Sequence, residues 1–178
     1  MTDDERMWLH REFSVAGWNG MLGDLKRILA EHPDAVRWTD DRSGMTALHG
    51  AAAQCKTEAI LFLLENGAEI NARDDKGRTP LMHAAGNGGR DHLQPLLDAG
   101  ADIAAVDKEG KDAIAYTEKN FSQPINAGLI RRHATLLEIK RTAEEETRRQ
   151  ADIEGAAAHM RNGAAHPVTV GRPLRLKV

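Results

Sequence analysis

A short glycine-led pattern returns along this chain at a fixed step of 33 residues. Gly44 begins Gly-Met-Thr-Ala-Leu-His, Gly77 begins Gly-Arg-Thr-Pro-Leu-Met, and Gly110 begins Gly-Lys-Asp-Ala-Ile-Ala. A second pattern, a Leu-Leu pair followed shortly by Gly-Ala, keeps the same step between residues 63–68 and 96–101. Two patterns in fixed phase indicate tandem repeats, in which each unit buries its apolar face against its neighbours.

Each repeat is predicted to contain two helices. Thr46 and Thr79 suit the N-cap of a first, alanine-rich helix, and Pro80 suits its first position. Small side chains let such helices approach closely, which fits a chain with 41% hydrophobic but only 4% aromatic residues. Gly67 and Gly100 stand where a second helix usually ends in a left-handed residue. That second helix carries a stripe at i, i+3 and i+4 spacing that is predicted to be buried, formed by Ile60, Leu63 and Leu64, and then by Leu93, Leu96 and Leu97.

The two units over residues 41–106 resemble the ankyrin-repeat family, whose pattern reads roughly G-x-T-P-L-H-x-A-A, a Leu-Leu pair, G-A and an Asn, here Asn71. Three positions depart from it, namely Ala47 in place of Pro, Met82 in place of His, and Ala104 in place of Asn. The resemblance implies an all-α ankyrin-repeat solenoid of stacked helix pairs with short β-hairpin tips on one side. It also implies that His49, at the motif histidine, hydrogen-bonds within and between repeats.

The stack is predicted to occupy residues 1–140, as about four helix pairs in units of about 8–40, 41–73, 74–106 and 107–140. The two outer units match the pattern poorly, as expected for terminal repeats that have a neighbour on one side only. Hairpin tips are predicted near residues 40–45, 73–78 and 106–111.

Bulky aromatic residues concentrate in the first unit. They are Trp8, Phe13, Trp18 and Trp38. The favoured interpretation is that they seal the open end of the stack, and the alternative is an aromatic binding patch.

Helical character continues beyond the last repeat to about Met160. Residues 141–162 are predicted to be a helical extension, and their charged composition favours a solvated helix over an oligomer seam. Residues 163–178 alternate apolar and polar positions, and all their charged side chains are basic. This tail is interpreted as strand-like or disordered, and it could pair with its own fold or with a partner.

No pattern of reactive residues points to chemistry. The histidines lack close metal-ligand spacing, and the glycine cluster at 86–89 lacks the Lys-Ser/Thr of a phosphate-binding loop. The pairs Asp40-Asp41 and Asp74-Asp75 fall on tips, where they are expected to be solvated with ordinary pKa values. Cys55 falls on a turn and is treated as non-catalytic. The sequence therefore predicts no catalytic, cofactor or metal site, and a protein that is not an enzyme.

Charge and hydropathy narrow the choice of partners. The net charge of −3 is too close to balance to indicate nucleic acid or an acidic membrane surface. No apolar run is long enough to span a bilayer. The acidic start of the chain has no secretory signal. We therefore expect a cytoplasmic protein.

The resemblance implies a protein–protein interaction module that acts as an adaptor, inhibitor or immunity-type partner of a cytoplasmic protein. The alternative is a structural protein that self-associates through the C-terminal helix and tail. In the family, partners commonly meet the tips and the exposed face of the first helices. The positions that match here are Arg42, Ser43, Met45, Gln54, Arg73, Asp75, Lys76, Arg78, Asn87, Lys108, Glu109 and Lys111.

Three expectations accompany this set. Arg73 and Arg78 are the predicted anchors, because arginine is enriched at interface hot spots. Met45 is expected to be exposed and to supply an apolar contact. Side chains on the tips are expected to be dispensable for folding, and basic residues slightly outnumber acidic ones, which favours a partner with an acidic patch.

Overall fold

The structure, a computed structural model, describes residues 3–87, 91–118 and 124–163. Its helices are α1 (Asp3–Asn19), α2 (Leu22–Glu31), the 3-10 helix η1 (Pro33–Arg37), α3 (Ala47–Ala53), α4 (Thr57–Glu65), α5 (Pro80–Ala85), α6 (Leu93–Asp98), α7 (Ala113–Glu118) and α8 (Pro124–Gly163). The interpretations of Gly88 and Gly89 and of the tail beyond residue 163 lie outside the described residues.

The helices form the predicted repeat stack. The first helices of successive units, α1, α3, α5 and α7, lie side by side, and α2, α4 and α6 form a second layer. Each second helix packs against the first helix of its own unit in the pairs α1–α2, α3–α4 and α5–α6. The all-α solenoid architecture expected from the 33-residue step is therefore confirmed.

Threonine caps begin the first helices of the two central repeats. The backbone N–H of His49 donates to Thr46 Oγ1 at 3.4 Å, and the backbone N–H of Thr46 donates to His49 Nδ1 at 3.1 Å. In the next repeat the backbone N–H of Thr79 points at the sulfur of Met82 at 3.5 Å. A thioether thus stands in for the imidazole where the sequence departs from the family pattern.

The core follows the small-residue and leucine pattern. The alanines of α3 and α5 are buried, so neighbouring first helices pack closely. In the second helices, Leu63 and Leu97 are at most 1% exposed. Leu64 is only half-buried, so its predicted burial is wrong. The α4 stripe turns Ala59, Ile60 and Leu63 inward.

Three tight turns form the tips at the predicted places. Backbone bonds close them from Asp40 N–H to Met45 O, from Asp74 N–H to Arg78 O, and from Asp107 N–H to Lys111 O, at 2.9–3.0 Å. Their glycines, Gly44, Gly77 and Gly110, have φ of 65°, 77° and 77°, a region that other residues rarely adopt. Within the described ranges the β-type pairing is one isolated bridge, between Thr39 and Thr46.

Backbone bonds also link one tip to the next. The N–H of Asp75 donates to Ser43 O at 2.9 Å, and the N–H of Lys108 donates to Lys76 O at 3.0 Å. The three tips are therefore held in register by main-chain bonds.

Contacts divide the chain into a first unit that ends at Thr135 and a second that begins at Leu136. Helix α8 is continuous across residues 124–163, so the predicted extension at 141–162 is helical. The predicted domain limits, with a boundary at residue 140, remain a proposal. None of the helices that the structure describes is both long and apolar enough to cross a membrane.

Candidate protein-binding surface

A buried carboxylate organises the tip of the third repeat. Asp74 Oδ1 accepts the backbone N–H groups of Lys76 and Arg78, each at 2.9 Å. Its Oδ2 accepts Nε of Arg78 at 2.8 Å and lies 3.0 Å from Nε2 of His83. Burial alone would raise the pKa of Asp74, but the hydrogen bonds from Arg78 and His83 lower it to about 2. The expectation of a solvated carboxyl with an ordinary pKa is therefore wrong for Asp74.

The first aspartate of the other two tips has the same role. Asp40 accepts the backbone N–H groups of residues 42, 43 and 45 and the Ser43 hydroxyl. Burial would raise the pKa of Asp40, but these bonds outweigh it and lower the pKa, contrary to expectation. Asp107 accepts two backbone N–H groups and the Tyr116 hydroxyl, and that hydroxyl is the main reason that its pKa is lowered.

The motif histidine connects two repeats, as the family resemblance implies. His49 is fully buried, and its Nε2 lies 3.1 Å from the carbonyl oxygen of Arg78. Its Nδ1 accepts from Thr46, so Nε2 carries the proton of the neutral ring. Burial is the main reason that the pKa of His49 falls to about 4. The predicted bonding of His49 within and between repeats is confirmed.

Half of the predicted contact residues use their side chains inside the molecule. Nη1 of Arg73 donates to Gly77 O at 3.0 Å and to Val106 O at 2.7 Å, and Arg78 pairs with Asp74 at 2.7 Å. These bonds contradict the expectation that the tip side chains are dispensable for folding. The engaged side chains are Ser43 with Asp40, Arg73, Arg78, Asn87 with the carbonyls of residues 53 and 83, and Lys111 with Glu109.

The other half make no side-chain hydrogen bond or ion pair within residues 3–87, 91–118 and 124–163. These side chains are Arg42, Met45, Gln54, Asp75, Lys76 and Lys108. All are exposed except Met45, which is half-buried rather than exposed as expected. Each tip thus carries one exposed cation, Arg42, Lys76 or Lys108, whose side chain has no partner in the part of the chain that the structure describes.

The aromatic residues of the first unit divide into two groups. Phe13 is fully buried and Trp38 is 8% exposed, with the His10 ring stacked on Trp38 at 4.1 Å, so these two close the end of the stack. Trp8 and Trp18 are 63% and 42% exposed. The sealing role predicted for all four aromatic residues is therefore wrong for Trp8 and Trp18. Trp8 and Trp18 are ten residues apart, which places both on the same side of a helix, opposite Phe13. This spacing was the feature of the sequence that could have separated them from the buried aromatic residues.

Cys55 lies in the left-handed region, with φ of 55°, and its Sγ is 3.5 Å from Nε2 of His92. The same His92 nitrogen is 3.1 Å from the carbonyl oxygen of Ala84. Burial raises the pKa of the Cys55 thiol, which disfavours the nucleophilic thiolate. Among the described residues, no group of three or more His, Cys, Asp or Glu side chains is arranged to hold a metal ion.

Comparisons with known proteins agree with this geometry. A sequence model of ankyrin repeats, in three copies, matches residues 13–107, which is more than half of the chain. The chain is 42% identical over 64 residues to the 26S proteasome non-ATPase regulatory subunit 10 of Rattus norvegicus, and 41% identical over 64 residues to that of Homo sapiens. It is 40% identical over 58 residues to the Arf-GAP with ANK repeat and PH domain-containing protein cnt-1 of Caenorhabditis elegans.

Each of these matches covers a limited share of this chain and of the relative. The proteasome match spans 35% of this chain and 27% of the relative, and the Arf-GAP match spans 33% of this chain and 7% of the relative. The repeats and the relatives together identify a protein–protein interaction module.

Proposed function

The chain belongs to the ankyrin-repeat family, and on that basis we propose that it binds a cytoplasmic protein through its tips and the adjacent face of its first helices. It would act as an adaptor, inhibitor or immunity-type partner. The observation that carries the proposal is a row of cations, Arg42, Lys76 and Lys108, whose side chains have no ion pair or hydrogen bond among the described residues, on tips that backbone bonds hold in register.

Rigid tips suit recognition, because a preorganised surface loses little conformational freedom when it binds. The charges on the tips also indicate the kind of partner. The exposed cations of the three tips, Arg42, Arg73, Lys76 and Lys108, slightly outnumber the exposed carboxylates, Asp41, Asp75 and Glu109, so the surface favours a partner with an acidic patch. Arg73 and Arg78, already engaged inside the molecule, position the tips, and the cations of the row take over the role of contact residues.

A charge-reversal experiment tests this surface. The purified full chain and the variant Arg42→Glu/Lys76→Glu/Lys108→Glu are immobilised and exposed to an extract of the native source. We expect a protein that the wild type retains and the variant loses, with affinity reduced by at least about tenfold when that protein is purified.

The matched control is Arg37→Glu/Arg131→Glu/Arg132→Glu. It has the same change in net charge and alters exposed arginines away from the tips. It should bind as the wild type does. Equal losses in the variant and the control, or equal retention by all three proteins, would remove the tips as the interface.

A second candidate is self-association through the C-terminal helix and tail. In the second unit, Leu136, Ile139 and Ile153 are 58%, 58% and 63% exposed, and they fall on one heptad register of α8. Glu146 and Gln150 occupy the same register between them, which weakens any such seam. Sedimentation velocity separates the two candidates, because a monomer at all concentrations contradicts the second, and a dimer that Leu136→Lys/Ile139→Lys dissociates supports it.

A further inference from the structure

Helix α1 has an exposed apolar face that the core does not use. Trp8, Val15 and Trp18 are 63%, 46% and 42% exposed, while Phe13 on the opposite side is fully buried. Residues 8, 11, 15 and 18 share one side of a helix because their steps of three and four follow its period. Arg11 therefore lies in the same stripe, between the two tryptophans.

The stripe borders an open groove beside the first tip. Arg11, Val15 and Trp18 line it together with Met45 and Gly50. In the next two repeats, the position of Gly50 is occupied by His83 and Tyr116, whose side chains reach the tip aspartates. Gly50 has no side chain, and the backbone of Trp18 lies close enough that a Cβ there would be 3.1 Å from the Trp18 nitrogen. The missing side chain leaves the groove open.

The exposed charged side chains that line the groove and the hollow next to it are two cations, Arg11 and Arg42, and one anion, Asp41. Arg11 also lines the neighbouring hollow with Trp8, Asp41 and Arg42. Neither guanidinium, of Arg11 or of Arg42, has an ion pair or hydrogen bond among the residues that the structure describes. The Asp40 carboxylate is occupied by four hydrogen bonds within the tip, which leaves Asp41 as the exposed acid facing two cations.

We propose that this surface, defined by Trp8, Arg11, Val15, Trp18 and Met45, binds an acidic amphipathic helix of a protein partner. Apolar side chains of that helix would pack on Trp8 and on the Trp18–Met45 groove, and its carboxylates would pair with Arg11 and Arg42. Exposed tryptophan and arginine side chains are the residues most enriched in interface hot spots. This inference rests on the proposed function in one respect, that the partner is a protein, and it assigns a second surface, on α1, that shares only Arg42 with the tip row.

The occupant is a helix because of the shape of the receptor. α1 presents side chains and no free strand edge, so recognition must come from apolar packing and charge, as in helix-in-groove complexes. Trp8 and Trp18 are ten residues apart, about 15 Å along the helix axis. A partner helix that lies along α1 therefore needs apolar side chains over about three turns, with carboxylates between them.

Two synthetic peptides test the proposal on the full chain. Both are amphipathic helices of about 18 residues with the same leucine positions, and their charged face is glutamate in one and lysine in the other. Binding is followed by tryptophan emission, since Trp8 and Trp18 are exposed and should shift to the blue when covered. We expect the glutamate peptide to bind at least about tenfold more tightly than the lysine peptide.

Three variants complete the test. Trp8→Ala/Trp18→Ala should weaken the glutamate peptide by at least about tenfold, measured by calorimetry because the reporters are lost. Arg11→Glu/Arg42→Glu should reverse the preference between the peptides. Lys76→Glu/Lys108→Glu alters the tip row and should leave binding unchanged, which separates this surface from the one proposed above.

Several results would overturn the inference. They are equal affinity for the two peptides, no binding of either, an equal loss in the Lys76→Glu/Lys108→Glu variant, or a dimer that Trp8→Ala/Trp18→Ala dissociates. The last result would assign the surface to a second copy of the chain. If the tip variants abolish capture of a native partner while neither peptide binds, the proposed function stands and this inference fails.

Discussion

The Nε2 atom of His83 lies 3.0 Å from Oδ2 of Asp74, so a first-helix side chain holds the tip of its own repeat. One repeat later Tyr116 makes the same connection, with its hydroxyl donating to Asp107. Burial and this bond raise the pKa of Tyr116 to about 12, so the phenol remains a donor at neutral pH. The geometry of the second and third tips is therefore tied to the helix beneath each of them.

We expect Arg78→Ala to lower the free energy of unfolding by about 1–3 kcal/mol, because the buried Asp74 carboxylate loses a charged partner. The control is Lys76→Ala on the same tip, whose exposed side chain has no internal partner among the described residues and should change stability by at most about 0.5 kcal/mol. Urea unfolding of the two variants measures both. Equal effects would mean that the Asp74–Arg78 pair does not stabilise the fold.

The stack should lose stability as the pH falls below neutrality. The pKa of His49 is lowered, mainly by burial, from its ordinary value of 6.5 to about 4. A depressed pKa favours the neutral ring in the folded chain, so the associated stability is complete above about pH 6.5 and is lost as the pH falls toward 4. We expect a loss on the order of 2 kcal/mol between pH 7 and pH 5.

Urea unfolding at several pH values checks this dependence. His49→Gln should be less stable than the wild type at pH 7 and should have a flatter profile between pH 7 and pH 5, since the buried ring is gone. Gln54→Ala, at an exposed position that has no titratable group, is the control and should keep the wild-type slope. A wild-type slope in His49→Gln would assign the dependence to other groups.

Gly17 marks the closest approach of α1 to α3. A Cβ added there would lie 2.6 Å from the carbonyl oxygen of Ala47, a backbone atom that cannot move aside. We expect Gly17→Ala to destabilise the chain by about 1–3 kcal/mol despite the better helix propensity of alanine. Gly128→Ala in α8 meets nothing within 4 Å and should stabilise by up to about 1 kcal/mol. Thermal unfolding of the pair checks the opposite signs.

The leucine stripes give a graded prediction. Leu97 is 1% exposed, so Leu97→Ala should cost about 2–5 kcal/mol through lost burial and the cavity that it leaves. Leu64→Ala, at a half-buried position of α4, should lower the free energy of unfolding by less. Leu61→Ala, at a position that is 45% exposed, should lower it least. Chemical denaturation of the three variants would contradict the assigned packing if this order were reversed.

Much of the fold was predictable because its signals are local. Thr46 and Thr79 cap helices through bonds three residues away, and Gly67 and Gly100 adopt the expected left-handed conformation, with φ of 82° and 84°. Leu64 shows the limit of such patterns. Spacing places a residue on one side of a helix, but its burial depends on how far the neighbouring helix extends.

The sequence by itself determined the period, the helix caps and the turning points, since each depends on residues within one repeat. Only the tertiary structure decided which side chains form contacts within the fold and which stay exposed for a partner. Arg73 is engaged because the carbonyl of Val106, one repeat further along, lies 2.7 Å away, whereas Lys76 on the same tip has no internal partner in the described ranges. Trp8 and Trp38 differ for the same reason. Hydrogen bonding and burial are properties of neighbours in space, and in a repeat stack those neighbours come from another unit.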